Sequence, residues 1–177
     1  MMNDRLNTSF PSRRLGYALG FAICAALMGT AFYLQYVSGM EPCPLCMFQR
    51  IAVTAMGIVF LIAAIHAPRG RGARMYAFLL LLIGAAGIGL AWRHLWIQSL
   101  PADQVPACGM GIGYMFETLP FFEVIEKTLK GSGECAQVDR VLGLTIPLWT
   151  LLLFIALIAW GIAMATWTRA APRRRDE

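Results

Sequence analysis

Four long apolar segments constrain the fold of this chain more than any other feature. They run from about residue 15 to 36, 46 to 65, 75 to 96 and 146 to 167. Each is long enough for a helix to cross the hydrocarbon core of a bilayer. The chain is 58% hydrophobic and 14% charged, which is more apolar than a soluble domain. The sequence predicts an all-α fold, an integral membrane four-helix bundle that forms a single domain over residues 1–177.

The basic residues predict the orientation of this bundle. Ten of the fifteen Lys and Arg residues lie in three segments that an even number of spans places on one side of the membrane. They are Arg5, Arg13 and Arg14 before the first span, Arg69, Arg71 and Arg74 after the second, and Arg169, Arg173, Arg174 and Arg175 after the fourth. The positive-inside rule makes this side cytoplasmic, with both termini inside. The net charge of +5 is then explained by topology, and no nucleic-acid partner is expected.

The N-terminus has one feature of a targeting signal. "SRRL" at residues 12–15 could begin a cleaved signal, but the apolar run spans a whole bilayer, so an uncleaved first span is expected.

The outer loops are predicted at about 37–45 and 97–145. The longer loop contains "LPFFEVIEKTLKG", which predicts an amphipathic helix over 119–130 lying flat on the outer leaflet. A short helix packed beneath a folded loop is the alternative.

The five cysteines are sorted by this topology. Cys24 lies in the first span, where a cysteine acts as a small apolar residue. Cys43 and Cys46 lie in the first outer loop, and Cys108 and Cys135 lie in the second. The space outside a bacterial inner membrane is oxidising, which favours disulfides. Four cysteines allow three pairings, and a near pair plus a far pair is the simplest.

Four cysteines in these positions could form a metal site, structural disulfides or a redox-active pair. A metal site is not expected, because only Cys43 and Cys46 have CxxC spacing and no histidine cluster accompanies them. A structural disulfide suits Cys108 and Cys135, where closing the loop could stabilise the fold by about 3 to 4 kcal/mol. It suits Cys43 and Cys46 poorly, because so short a bridge removes little entropy from the unfolded chain. A CxxC at a helix start instead favours redox cycling.

The surroundings of Cys46 support electron transfer. Cys46 is predicted at the N-terminal end of the second span, where the helix dipole stabilises a thiolate. Arg50 follows at i+4 on the same helix face and could stabilise it further, although an interfacial arginine can also snorkel without a role. A lipid-soluble acceptor would need no nucleotide fold. His94, at the outer end of the third span, is expected at the same depth and could donate a hydrogen bond to a quinone carbonyl, though a lone interfacial histidine is often inert.

Several motifs together resemble a known family. They are "PCPLCMFQR" at the start of the second span, His94 before the long loop, "PACG" with Cys108, "GECA" with Cys135, and "GLTIPLW" leading into the fourth span. With the four spans, they resemble the disulfide bond formation protein B (DsbB) family of quinone-linked oxidases over nearly the whole chain. The combination is specific, whereas a CxxC alone would not be.

The resemblance implies a relay of two disulfides in a bacterial inner membrane. A reduced periplasmic DsbA-like thiol oxidoreductase would attack the disulfide of Cys108 and Cys135, forming a mixed disulfide through Cys108. Cys135 would pass electrons to Cys43, and Cys46 would be freed to engage a quinone, either ubiquinone or menaquinone, from the membrane pool. The residues implied to line the quinone site are Arg50 and His94.

Two alternatives to this relay remain open at the level of sequence. One is a non-enzymatic membrane scaffold whose outer loop is held by a structural disulfide. The other is an enzyme similar to vitamin K epoxide reductase, which shares the four helices, the CxxC and the quinone. The position of the CxxC at the start of the second span favours the DsbB family. Gln49 departs from some members of that family, which carry an acid there, so no carboxylate role is expected.

Overall fold

The computed structural model describes residues 13–101, 103–107, 112–138, 140–141 and 143–170. Within these residues, four long helices form the membrane part: α1 (Arg13–Tyr36), α2 (Pro44–His66), α3 (Arg71–Gln98) and α6 (Ile146–Ala170). Each contains a stretch that is long and apolar enough to cross a bilayer. The predicted all-α membrane bundle is confirmed. The exact limits of the spans and the single domain over 1–177 stay predictions.

The four long helices pack as a ring. Helix α2 packs against α1 and α3, and α6 packs against α3 and, less extensively, against α1. The side chains at the centre are almost fully buried and apolar. They include Tyr17, Met56, Phe60, Leu80 and Phe154. This core holds the N-terminal end of α2 and the C-terminal end of α3 next to one another, which is where Cys43 and Cys46 lie.

Glycines allow some of these helices to approach closely. A methyl group added at Gly87 would lie 2.5 Å from the ring of Phe154, and one at Gly84 would lie 2.5 Å from Ile158. Side chains of α6 therefore occupy the space that a larger residue on α3 would need, and small residues let membrane helices pack closely. Gly29 in α1 and Gly89 in α3 have no such neighbour within 4 Å.

The segment between α3 and α6 contains several short elements. They are α4 (Ile112–Thr118), α5 (Phe121–Lys130), a 3-10 helix (Gly133–Ala136), and the strands β1 (Arg140–Val141) and β2 (Leu144–Thr145). The two strands form an antiparallel hairpin. Of these elements the sequence analysis predicted only α5. The others are too short to produce a hydrophobic period that could be recognised in a sequence.

Helix α5 is amphipathic, as predicted. It buries Val124 and Thr128 against the bundle, whereas Phe121 and Phe122 are 60% and 83% exposed. Its charged side chains form two i,i+4 ion pairs: Glu123 with Lys127, and Glu126 with Lys130. One side of α5 is therefore buried within the protein. Phe121 and Phe122 are exposed, and contact of their rings with the outer leaflet stays a prediction.

Candidate functional site

The CxxC motif lies at the start of α2. Cys43 is the N-cap residue and Pro44 follows in the first helical turn, where proline is well tolerated because its missing N–H needs no partner. The sulfur of Cys43 accepts a hydrogen bond from the backbone N–H of Cys46, with the two atoms 3.4 Å apart. The sulfurs of Cys43 and Cys46 are 3.2 Å apart. A disulfide bond is about 2.05 Å long, so a small movement brings the sulfurs to bonding distance, and an acceptor of two electrons and two protons is needed to join them.

The imidazole of His94 lies against both sulfurs. Its Nε2 atom is 3.9 Å from Sγ of Cys43, and its Nδ1 atom is 3.9 Å from Sγ of Cys46. Nε2 also lies 3.1 Å from the carbonyl oxygen of Cys135. Because a carbonyl can only accept, this contact requires the proton on Nε2 and leaves the lone pair of a neutral ring on Nδ1. The sequence placed His94 at the depth of Cys46 but did not indicate this contact with the cysteines.

Cys135 is fully buried in the 3-10 helix and joins the same cluster. Cys43 belongs to this cluster, and the hydroxyl of Ser132 lies 3.7 Å from the Cys135 sulfur. Interaction with the Cys43 thiol, together with burial, raises the pKa of the Cys135 thiol. In this arrangement Cys135 is therefore held as a neutral thiol that faces the first cysteine of the CxxC.

The outer end of α3 holds the backbone around Cys135 in place. Its contacts with segment 129–137 are Arg93 Nε to Leu129 O at 2.8 Å, Arg93 Nη2 to Lys130 O at 3.0 Å, His94 to Cys135 O, and Gln98 Nε2 to Gln137 O at 2.9 Å. The guanidinium of Arg93 also lies 4.2 Å from the centre of a Trp96 ring. The sequence analysis missed Arg93 and Gln98. Their only signal was a polar cluster around His94 at the end of an apolar helix.

Arg50 binds α1 from its position one turn beyond Cys46. Its guanidinium donates hydrogen bonds to the side chain of Gln35 and to the carbonyl oxygen of Ala31, the latter at 3.1 Å. It also lies 5.8 Å from the ring centre of Phe32. The hydrogen bonds of Arg50 thus connect the outer end of α2 to α1, and none of those described reaches the sulfur of Cys46.

An apolar cavity of about 430 Å³ lies between α1, α2 and α6. Cys46, Gln49, Arg50 and Trp149 border it, together with aliphatic side chains of the three helices. The indole N–H of Trp149 donates to the carbonyl of Val141 at 2.9 Å, which ties α6 to the hairpin. Ligand sites are commonly apolar cavities with a few polar groups, and this cavity meets that description next to a cysteine.

A second, more polar cavity of about 480 Å³ lies on the other side of the CxxC. Cys43, Cys46 and His94 border it, and the carboxylates of Glu41 and Glu134 line it as well. Cys46 therefore lies between two cavities of different character. One is suited to an apolar molecule, and the other is open to polar solutes.

The structure brings four of the six predicted site residues together: Cys43, Cys46, His94 and Cys135. Arg50 lines the apolar cavity beside Cys46. Cys108 lies outside the described residues, so its pairing with Cys135 stays a prediction. Among the described cysteines all four are free thiols: Cys24, Cys43, Cys46 and Cys135. Cys24 is buried in the core of the bundle, away from this cluster.

The sequence of this chain is similar to those of known proteins over most of its length. The family model described as "Disulfide bond formation protein DsbB" matches residues 13–164. A disulfide bond formation protein B from Hahella chejuensis is 54% identical over 160 residues, covering 89% of this chain and 95% of the relative. Another, from Marinobacter nauticus, is 52% identical over 147 residues, covering 82% and 88%. The chain therefore belongs to the DsbB family of disulfide-forming membrane oxidoreductases.

Proposed function

We propose that this protein reoxidises a periplasmic DsbA-like dithiol oxidase by disulfide exchange and passes the electrons to a membrane quinone. The observation that carries the proposal is the position of the CxxC. Cys43 packs with Cys135 in one buried cluster, while Cys46 borders an apolar cavity between the membrane helices. The two cysteines of one motif thus face the two reactants that such a relay must connect.

The thiol–disulfide exchange steps use four cysteines, and in every step one disulfide is reduced as another forms. The reduced partner attacks the disulfide of Cys108 and Cys135, is itself oxidised to a disulfide, and leaves both cysteines as thiols. Cys135 then attacks Cys43 of the CxxC disulfide, forming a bond between Cys43 and Cys135 and releasing Cys46 as a thiolate. Cys108 displaces Cys43 from Cys135, which restores the first disulfide. The packing of Cys43 and Cys135 in one buried cluster supports this choice of reacting sulfurs.

The apolar cavity fits a quinone. Its walls are mostly aliphatic and aromatic, and Cys46 and the cationic Arg50 border it. A bound quinone, ubiquinone or menaquinone, supplies an acceptor for the two electrons and two protons released when Cys43 and Cys46 form a disulfide. Arg50 would bind the polar end of the ring, and its hydrogen bonds to α1 hold the guanidinium in position. His94 stays a candidate for the same site, because its Nδ1 atom lies 3.9 Å from the sulfur of Cys46.

The proposed location is the bacterial inner membrane, with both termini in the cytoplasm. The arginine-rich segments at the inner ends of the four helices support this orientation. It puts the CxxC, the 3-10 helix with Cys135 and the amphipathic α5 on the periplasmic side. A thiol oxidase partner dissolved in the periplasm can then reach the loop, while quinone reaches Cys46 from the bilayer.

Anaerobic mixing tests the whole proposal. The purified protein in detergent is mixed with a reduced DsbA-type protein and a soluble quinone, and quinone reduction is followed by absorbance. We expect rapid reduction that Cys46→Ser abolishes and that Cys24→Ser, which removes a thiol from the bundle core, leaves intact. If the folded wild-type protein reduces neither ubiquinone nor menaquinone analogues, the proposal is wrong and the scaffold alternative gains.

A further inference from the structure

Three ligand atoms for a soft metal ion converge beside the polar cavity. Sγ of Cys43, Sγ of Cys46 and a ring nitrogen of His94 all lie within 4.8 Å of one another. The sulfurs are 3.2 Å apart, and Nδ1 of His94 is 3.9 Å from Sγ of Cys46. With Zn–S bonds of about 2.3 Å and Zn–N bonds of about 2.0 Å, tetrahedral coordination separates such ligand atoms by about 3.5 to 3.8 Å. The distance between the two sulfurs is about 0.5 Å shorter, and that from Nδ1 to Sγ of Cys46 about 0.4 Å longer, than this coordination requires.

The histidine is already oriented as a metal ligand. Nε2 donates to the carbonyl oxygen of Cys135 at 3.1 Å, so Nδ1 carries the free lone pair on the side of Cys46. Histidines that bind metals usually donate their other ring N–H to a carbonyl or carboxylate, which fixes both tautomer and orientation. His94 is only 3% exposed, so the ring has little freedom to turn away from the two sulfurs.

A cation also has a route to these atoms. The polar cavity that reaches Cys43, Cys46 and His94 is lined by the carboxylates of Glu41 and Glu134. Both glutamates are exposed, so they lie where the cavity meets solvent. Carboxylates at the entrance of a cavity raise the local concentration of cations.

We propose that the reduced form of this site binds one Zn²⁺ ion through Cys43 Sγ, Cys46 Sγ and His94 Nδ1. Binding displaces one proton from each thiol and transfers no electron. Two thiolates balance the charge of the ion, so the buried complex is neutral. The fourth position faces the polar cavity and takes a water molecule. While the ion is bound, the sulfurs cannot form a disulfide, so Zn²⁺ reversibly blocks reoxidation of the CxxC whatever the electron acceptor is.

Metal binding by the reduced full-length protein in detergent tests this inference without any turnover. After removal of the reductant under anaerobic conditions, equilibrium dialysis measures bound Zn²⁺, and Co²⁺ reports coordination by its visible absorption. We expect one ion per reduced chain, a tetrahedral cobalt spectrum with sulfur-to-cobalt bands, and no binding after the CxxC has been oxidised. A chelator should remove the ion and restore reaction of the dithiol with oxidant.

Matched variants identify the ligands. Cys46→Ser and His94→Gln should each weaken Zn²⁺ binding by more than the 10- to 100-fold that is typical for loss of an outer-sphere partner. Cys24→Ser should bind like the wild type, because this thiol lies in the core of the bundle and does not belong to the proposed set. Circular dichroism verifies folding of each variant. Equal affinity in Cys46→Ser and the wild type would overturn the proposal, as would absence of binding by the reduced wild type or an octahedral cobalt spectrum.

Discussion

Nε2 of His94 lies 3.1 Å from the carbonyl oxygen of Cys135, and this contact connects the third membrane helix to the 3-10 helix of the long outer loop. The same ring lies 3.9 Å from each sulfur of the CxxC. One side chain therefore touches both parts of the proposed relay. The distance between Cys43 and Cys135 depends on how firmly α3 holds segment 129–137, and Arg93 supplies two of those contacts.

Replacing Arg93 with alanine should loosen this segment. Arg93 donates to the carbonyls of Leu129 and Lys130 at the end of α5, and hydrogen bonds from a charged group are worth about 1.5 to 3 kcal/mol each when well made. We expect faster hydrogen exchange at the amides of 129–137 in Arg93→Ala and slower electron transfer from Cys135 to Cys43. Hydrogen exchange with mass spectrometry provides the measurement.

Arg140→Ala is the matched control for this experiment. Arg140 is an exposed residue of β1, and its loss removes one positive charge, as Arg93→Ala does, from the segment that Arg93 contacts. Exchange at 129–137 should stay as in the wild type. If Arg93→Ala leaves the exchange of this segment unchanged, or if both variants raise it equally, Arg93 does not hold the loop in the way described here.

The reactivity of Cys135 should depend on pH in an unusual way. Its interaction with the Cys43 thiol, together with burial, raises the pKa of the Cys135 thiol, whereas an ordinary cysteine has a pKa of about 8.5. We expect alkylation of Cys135 in the reduced protein to increase only well above pH 8.5. Cys43→Ala removes the main cause of the shift and should move this profile to lower pH. Mass spectrometry of alkylated peptides measures both profiles.

The same pKa shift predicts how stability changes with pH. A folded-state pKa above the unfolded value means that the folded protein retains its proton while the unfolded chain loses it. The stability that this difference gives the folded protein is present in full below about pH 8.5, the pKa of an unfolded thiol. It is lost as the pH rises toward the folded-state pKa. The midpoint temperature of thermal unfolding of the reduced protein should decrease as the pH rises through that range. The decrease should be smaller in Cys43→Ala. An equal fall in both proteins would contradict this origin.

Gly87→Ala should destabilise the bundle, because the added methyl would lie 2.5 Å from the ring of Phe154. Overpacking of a tight core typically costs about 1 to 3 kcal/mol. Gly89→Ala is the control on the same helix, since it has no neighbour within 4 Å, and it should be neutral or slightly stabilising. Thermal unfolding in detergent, followed by circular dichroism, distinguishes them. Similar midpoints for the two variants would show that α3 and α6 can separate at little cost.

Arg50→Met tests the proposed quinone site. The apolar cavity keeps its shape if methionine fills the space of the arginine stem, but its cationic group is lost. We expect a higher KM for quinone, with disulfide exchange between the partner and the protein unchanged. Arg71→Met, at the opposite end of the bundle, is the matched control. If Arg50→Met slows thiol exchange but leaves the KM for quinone unchanged, Arg50 supports the structure of α2 and does not bind quinone.

The sequence by itself determined the four membrane helices, because the length of an apolar run is a local property that the bilayer thickness makes decisive. It also indicated the redox motif and the amphipathic α5, which both lie within a few consecutive residues. The helix over 112–118 and the strands over 140–141 and 144–145 carried no comparable signal, since two helical turns or a two-residue strand are too short to show a period.

Only the tertiary structure decided which side chains meet. Cys43 and His94 are 51 residues apart, and no spacing rule predicts that an imidazole will lie between two sulfurs and the carbonyl of Cys135. The direction of Arg50 was likewise undecided, because a long side chain at i+4 can reach either Cys46 or the neighbouring α1. Packing of α1 against α2 made Gln35 and Ala31 the available acceptors. Contacts between distant segments depend on how whole helices pack, and that information is distributed over the entire core.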